Sequence, residues 1–196
     1  MSNILKDLNA EINALVRQTR ASLVRITDNR GGAGAGTIWS TEGLIITNAH
    51  VVRQSAPKVV LADGRSFPAR VVAHDAQRDL ALLAIKARGL PAIELGQTRD
   101  LRAGELVFAI GHPWGVSQAV TSGAIIGLGA DMPEMAAGRR EWLMVSLVLR
   151  PGNSGGPLVN TAGRLLGVNT IMTGPAVGGA VPIHVIAEFL KAATLN

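Results

Sequence analysis

From Ser22 onward the apolar residues fall into short runs of roughly 4–8, rich in Val, Ile, Leu and Thr and broken by Gly, Pro and Asp-Gly. In order they read SLVRIT, GTIWS, LIITNAH, KVVLA, SFPARVVAH and LALLAI, then ELVFAIG, AVTSGAIIG, WLMVSLVL, GPLVN, GRLLGVNTIM and GGAVPI. Each is long enough for a strand and too short for a typical helix. ADGRS at 62–66 carries a hairpin-turn signal. Many short strands with almost no helix between them predict an all-β barrel or sandwich. Two segments follow the helical period instead. Near the start, Leu5, Leu8, Ile12 and Leu15 form one stripe among charged and amide residues, which predicts a helix over 4–20. That helix either packs on the body or makes a subunit contact. IHVIAEFLKAAT predicts a closing helix. LGQTRDLRAG (95–104) separates the two groups of strands and reads as a linker.

Composition narrows the classes of function. With 47% hydrophobic and 17% charged residues, 196 residues can fill a sizeable core. No apolar run approaches the ~20 residues that span a bilayer, so no membrane span is expected. The first twenty residues carry acids and no long apolar stretch, so they do not read as a signal peptide. This fits a cytosolic protein or a chain whose export segment has been removed. The sequence has no cysteine, which excludes disulfides, thiolate metal sites and cysteine nucleophiles. The four histidines (His50, His74, His112, His184) lack ligand spacing, so neither a metal nor a cofactor is expected. The net charge of +5 comes from scattered cations, and aromatic residues are 3% of the chain, so no nucleic-acid partner is expected.

The chemistry lies in LRPGNSGGPLVN. Three glycines and a proline surround Ser154, a composition costly inside a regular strand. It suits a sharp turn that presents the serine hydroxyl and aims the amides of Ser154 and Gly152 at one point, as an oxyanion hole requires. A serine needs a base to take its proton and a third group to orient that base. His50, following the apolar run GLIIT, is the candidate base. Asp79, immediately before LALLAI, is the candidate orienter, because a carboxylate at the lip of an apolar strand requires a partner. Asp75 is a weaker rival, with no apolar strand directly after it.

TNAHVV, DLALL and GNSGGP, in that order, resemble trypsin-like serine proteases, and more narrowly the HtrA/Deg branch. ADGRSFPARVVAHD, IELGQTRDLRAGELVFAIGHPWG and LLGVNTIM extend the likeness over residues 22–185. The resemblance implies a chymotrypsin-like fold, two packed six-stranded antiparallel β-barrels with an N-terminal and a C-terminal helix. It divides the chain into the helix at 1–20, a first barrel at 21–96 and a second barrel with the closing helix at 97–196. His50 and Asp79 would come from the first barrel and Ser154 from the second. The implied roles are Ser154 as nucleophile, His50 as general base and then acid, and Asp79 fixing the imidazole tautomer. The turn Gly152–Asn153–Ser154 would form the oxyanion hole. Asn153 stands where many trypsin-like relatives have an Asp that pairs with a cleaved N-terminus, so activation by proteolysis is not expected.

By the same correspondence Leu149, Met172 and Thr173 line the pocket for the side chain before the cleaved bond. None is acidic, which favours small to medium aliphatic residues over Arg or Lys, with broad selectivity. The substrate is expected to add as a strand along Gly167, Val168, Asn169, Thr170 and on to Met172. The implied activity is endopeptidase cleavage of unfolded or damaged polypeptides by a homotrimer, extracytoplasmic if an export segment once preceded this chain. Many relatives continue into PDZ domains, for which this sequence has no room; it reads as a minimal form or a fragment ending at a domain boundary.

Several positions depart from the pattern. QTDAAINPGNSGG is replaced by MVSLVLRPGNSGG, which puts Ser146 where an acid is usual and Arg150 where Asn is usual. GGAVP replaces FAIP, with Gly179 removing bulk near the pocket. The loop 127–142 is specific to this chain and a candidate for regulation. The Ser146 and Arg150 departures support the alternative, a peptide-binding chaperone or regulatory module with its oxyanion loop locked inactive.

Overall fold

The computed structural model describes residues 2–27, 33–52, 57–129 and 141–194. Most of the candidate loop, 130–140, lies outside the described residues. The chain begins with helix α1 (Ser2–Ala21) and ends with helix α2 (Ile183–Thr194). Between them, β1 (Leu23–Thr27), β2 (Ala33–Ile38), β3 (Leu44–Thr47), β4 (Lys58–Val60), β5 (Ser66–Asp75) and β6 (Leu80–Ile85) close into one antiparallel barrel, ordered β1-β2-β3-β6-β5-β4. A second follows from β7 (Leu106–Gly111), β8 (Ala119–Leu128), β9 (Leu143–Val145), β10 (Pro157–Asn160), β11 (Leu165–Gly174) and β12 (Val177–Pro182), ordered β10-β11-β12-β9-β8-β7. At the ADGRS hairpin Leu61 donates its amide to the Arg65 carbonyl at 2.8 Å, pairing the ends of β4 and β5.

The apolar runs that lack polar alternation are strands buried on both faces. Along β6, Ala81, Leu83 and Ile85 point into the first barrel with Val24, Ile26, Ile38, Ile45 and Val59. Leu80 and Leu82 point the other way and, with Ile46, meet Val168 and Val181 of the second barrel and Ile186 and Phe189 of α2. Each fully buried Leu or Ile stabilises the fold by about 1.5–3 kcal/mol. The period of two therefore gives every second residue to the barrel and the rest to its neighbour. The interior of the second barrel is Val107, Ala109, Ile125, Leu143, Val145, Leu147, Leu149, Leu158, Leu166 and Ala180.

Only the C-terminal half of α1 is packed. Leu15 and Val16 sit on Ile93, Phe108, Val159, Leu165 and Ile183, whereas Ile4, Leu5 and Leu8 are exposed. Among the described residues no helix is long and apolar enough to cross a membrane, and no group of His, Asp and Glu is placed to hold a metal ion.

Candidate functional site

His50 lies in a single 3-10 turn (Ala49–Val52) that leaves β3 and is anchored by buried Ala49 and Val52. Asp79 occupies the turn before β6 with φ +54, in the left-handed region that Asp tolerates better than most side chains. The Asn48 side-chain amide donates to the Asp79 carbonyl at 2.9 Å and holds that turn. The carboxylate then meets His50 twice. The backbone amide of His50 donates to Oδ1 at 3.0 Å, and ring Nδ1 lies 2.8 Å from Oδ2. With Asp79 ionised, Nδ1 is the donor, which leaves Nε2 as the acceptor facing outward.

A fourth group comes from the other barrel. Thr170 on β11 donates its hydroxyl to Asp79 Oδ2 at 2.5 Å, the short limit for a hydroxyl on a carboxylate. The Asp79 side chain is 14% exposed. Burial pushes its carboxyl up, but the hydrogen bonds from the His50 ring, Thr170 and the His50 amide outweigh it and hold the group below its ordinary value. Asp75, the rival, accepts from the amides of Gln77 and Arg78 and pairs with the Arg78 guanidinium at 2.8 Å, so it caps its own turn.

Ser154 sits on a turn clamped between the barrels. Its carbonyl accepts from the Ala35 amide of β2 at 2.8 Å. Gly155 and Asn169 join the turn to β11 through an amide–carbonyl bond of 2.9 Å. Gly155 has φ +85, and a Cβ there would lie 2.0 Å from the Ala35 carbonyl oxygen, so only glycine allows this approach. Gly152, with φ +101, presses against the carbonyl of His112 in the same way. The Asn153 side chain accepts the Arg150 amide at 3.1 Å and closes the turn. Among the described residues the amides of Gly152 and Ser154 have no hydrogen-bond partner. Two unpaired donors on one turn are what a developing oxyanion needs.

The serine hydroxyl donates to the Thr170 carbonyl at 3.1 Å, and no bond joins it to His50 among the described residues. A rotation about χ1 would be needed to bring Oγ to Nε2.

The expected substrate strand is corrected in part. Gly167 and Val168 pair with β10 on one side and β12 on the other, and Asn169 bonds the turn at Gly155 and Gly156 on one side and Ala180 on the other. Their backbone groups are consumed by the barrel, so an added strand has only the edge from Thr170 onward. Thr173 is exposed and its hydroxyl donates to the Val177 carbonyl across the β11–β12 turn, not into a pocket. Leu149 and Met172 do meet: the Leu149 amide lies 3.0 Å from the Met172 sulfur. A Cβ on Gly178 would lie 3.1–3.2 Å from Leu147 and Leu149. Ser146 bonds the backbone of Ala124 on β8 and takes no part in the serine turn.

Thr170's hydroxyl, Asn48, Trp114 and Gly178 escaped sequence reasoning in these positions. Thr170 was legible only as a strand residue. Its side-chain direction was not legible from a period of two, because the β11–β12 register shifts between Asn169 and Ile171.

The geometry has close parallels. A family model described as a trypsin-like peptidase domain matches residues 34–168. Protease Do-like 1, chloroplastic, of Arabidopsis thaliana is 37% identical over 184 residues, 89% of this chain and 42% of the relative. Serine protease HTRA1 of Xenopus tropicalis is 38% identical over 162 residues, 81% of this chain and 35% of the relative. The chain thus spans about two-fifths of the length of these relatives. Among solved structures, the HtrA-type protease AlgW with a tripeptide superposes with a TM-score of 0.82 at 33% identity, covering 91% of this chain and 62% of that one.

Proposed function

Since the chain belongs to the trypsin-like peptidases, in their HtrA/Deg branch, we propose that it is a serine endopeptidase acting on unfolded or damaged polypeptides through Ser154, His50 and Asp79. The observation that carries this reading is the Asp79 carboxylate, held from both barrels by the His50 ring, the His50 amide and the Thr170 hydroxyl. The Asp79 carboxylate so held is placed to fix the imidazole tautomer.

In this mechanism Ser154 Oγ rotates from the Thr170 carbonyl to His50 Nε2. It attacks the carbonyl carbon of the scissile bond as its proton passes to Nε2. The carbonyl electron pair moves onto oxygen, where the amides of Gly152 and Ser154 receive it. Collapse breaks the C–N bond, and the imidazolium returns its proton to the leaving amine. Water repeats the sequence on the acyl-serine, giving the acid and restoring the hydroxyl. Asp79 remains ionised and stabilises the imidazolium.

Leu149, with Met172 across its amide and Gly178 behind it, supports a shallow apolar pocket for small to medium aliphatic side chains. The substrate backbone would pair along Thr170–Met172. The exposed Ile4, Leu5 and Leu8 support a homotrimer with contacts through α1.

The bond from Ser154 Oγ to Thr170 is the observation that favours the alternative, a peptide-binding module resting with its serine disengaged. Labelling with a fluorophosphonate probe at neutral pH, read by mass spectrometry, separates the two. Stoichiometric modification of Ser154, lost in Ser154→Ala, is the expected result. A folded protein that stays unlabelled and leaves casein uncut would sink the endopeptidase reading.

A further inference from the structure

The usual Asn four residues before the nucleophile is Arg150 here, and its guanidinium lies over the ring of Trp114, 5.1 Å from the centroid. Trp114 belongs to HPWG, the segment leaving β7, and is 71% exposed with φ +51. An aromatic residue in the left-handed region is a backbone outlier, and such strain persists only where surrounding contacts over-determine it. Exposure on this scale shows that the ring is not held by burial. Its recorded ring contact is with Arg150.

The backbone shows what the arrangement controls. The Trp114 amide donates to the Pro151 carbonyl at 3.3 Å, and the His112 amide donates to the Gly152 carbonyl at 2.8 Å. A trans peptide unit is planar, with its C=O and N–H pointing in opposite directions. While the Pro151 carbonyl points at Trp114, the N–H of Gly152 in the same unit must point away from it. If that unit rotates, the Gly152 donor leaves the site. The bond that prevents rotation is long for an N–H···O bond, so the position of Trp114 needs a second constraint.

We infer that the Arg150–Trp114 stack is the positioning device for the Gly152 amide: the guanidinium holds the indole, the indole holds its own amide under the Pro151 carbonyl, and that bond fixes the orientation of the Gly152 N–H. Neither residue touches the reacting atoms. The inference rests on the proposed role of Gly152 and Ser154 as the oxyanion hole.

The test is a double-mutant cycle in the whole chain, with Trp114→Leu, Arg150→Leu and the pair, measuring kcat and KM on a peptide cut by the wild type. Trp114→Tyr, which keeps an aromatic face, serves as the conservative variant, and thermal melts check folding. A cation–π contact at an exposed site is worth about a two- to fivefold change. Each Leu variant is therefore expected to lose about two- to fivefold in kcat with KM unchanged, the pair no more than either alone, and Trp114→Tyr to recover most of that loss. Additive losses, a rise in KM, or failure of Tyr to do better than Leu would overturn the positioning role while leaving the protease reading intact. A wild type that neither labels at Ser154 nor turns over would overturn both. A Leu variant that loses its cooperative melt would count against the stack as a local device, and Trp114→Tyr alone would then decide on the kcat and KM split.

Discussion

Thr170, on the second barrel, donates its hydroxyl to the Asp79 carboxylate of the first, on the same oxygen that the His50 ring approaches. The two residues are 91 positions apart in sequence. Their bond ties Asp79 to β11 across the two barrels, so the placement of this carboxylate depends on how the barrels dock.

Thr170→Val keeps the shape and removes the donor. Hydrogen bonds to charged groups contribute about 1.5–3 kcal/mol, so a loss of that order in stability is expected by urea unfolding, with kcat lowered about tenfold. The acid limb should move as well. A carboxyl depressed below its ordinary 3.8 stabilises the fold above that pH and loses the contribution as pH falls through the depressed folded value. Without Thr170 the folded value rises, and the acid-unfolding midpoint should shift to higher pH. An unchanged midpoint would deny the bond any weight.

Gly152→Ala places a Cβ 2.3 Å from the His112 carbonyl oxygen at φ +101. The turn must shift, and its amide with it. Loss of one oxyanion donor costs about 10²–10³ in kcat. That fall, with a melting temperature within a few degrees of wild type, is the expected pair of readings.

His112 is buried under the serine turn, and its ring lies below its ordinary 6.5 through burial and the charge of Arg25, opposed by a backbone bond to Val24. A histidine with a depressed folded value is fully compatible with the fold above the unfolded value. Stability is lost as pH drops from about 6.5 toward the folded value, because the unfolded chain takes up the proton first. Melting temperature should therefore fall between pH 7.5 and pH 5. The His112→Gln variant should show a flatter profile; equal slopes would place the acid sensitivity elsewhere.

Ile4 and Leu5 are 73% and 66% exposed, while Leu15 on the same helix is 7% exposed. Leu5→Glu with Leu8→Glu leaves the packed half of α1 untouched. Light scattering should report a change from three copies to one. An unchanged mass would remove α1 from the subunit contact.

His50, Asp79 and Ser154 could be picked from sequence because each sits beside a local signature: an apolar run ending at His, an acid heading LALLAI, and a Gly-rich turn around Ser. Leu149 could be placed near the serine for the same reason. The assignment of Gly167–Asn169 to substrate failed on a different point. An apolar strand looks alike whether its edge is paired or free, and here β10, the serine turn and β12 take both edges until Thr170. The register of β12, which sets Gly178 opposite Val145 and close to Leu149, was likewise not legible in the sequence.

The sequence by itself determined the strands, the two terminal helices and the candidate residues His50, Asp79 and Ser154, because hydrophobic period, turn residues and motif order are properties of neighbours along the chain. Tertiary structure alone decided that Thr170 reaches Asp79, that Arg150 stacks on Trp114 and that the serine hydroxyl faces the Thr170 carbonyl. Those contacts join residues far apart in sequence, and their distances follow from barrel closure and from how side chains of the two barrels interlock, which no local pattern encodes.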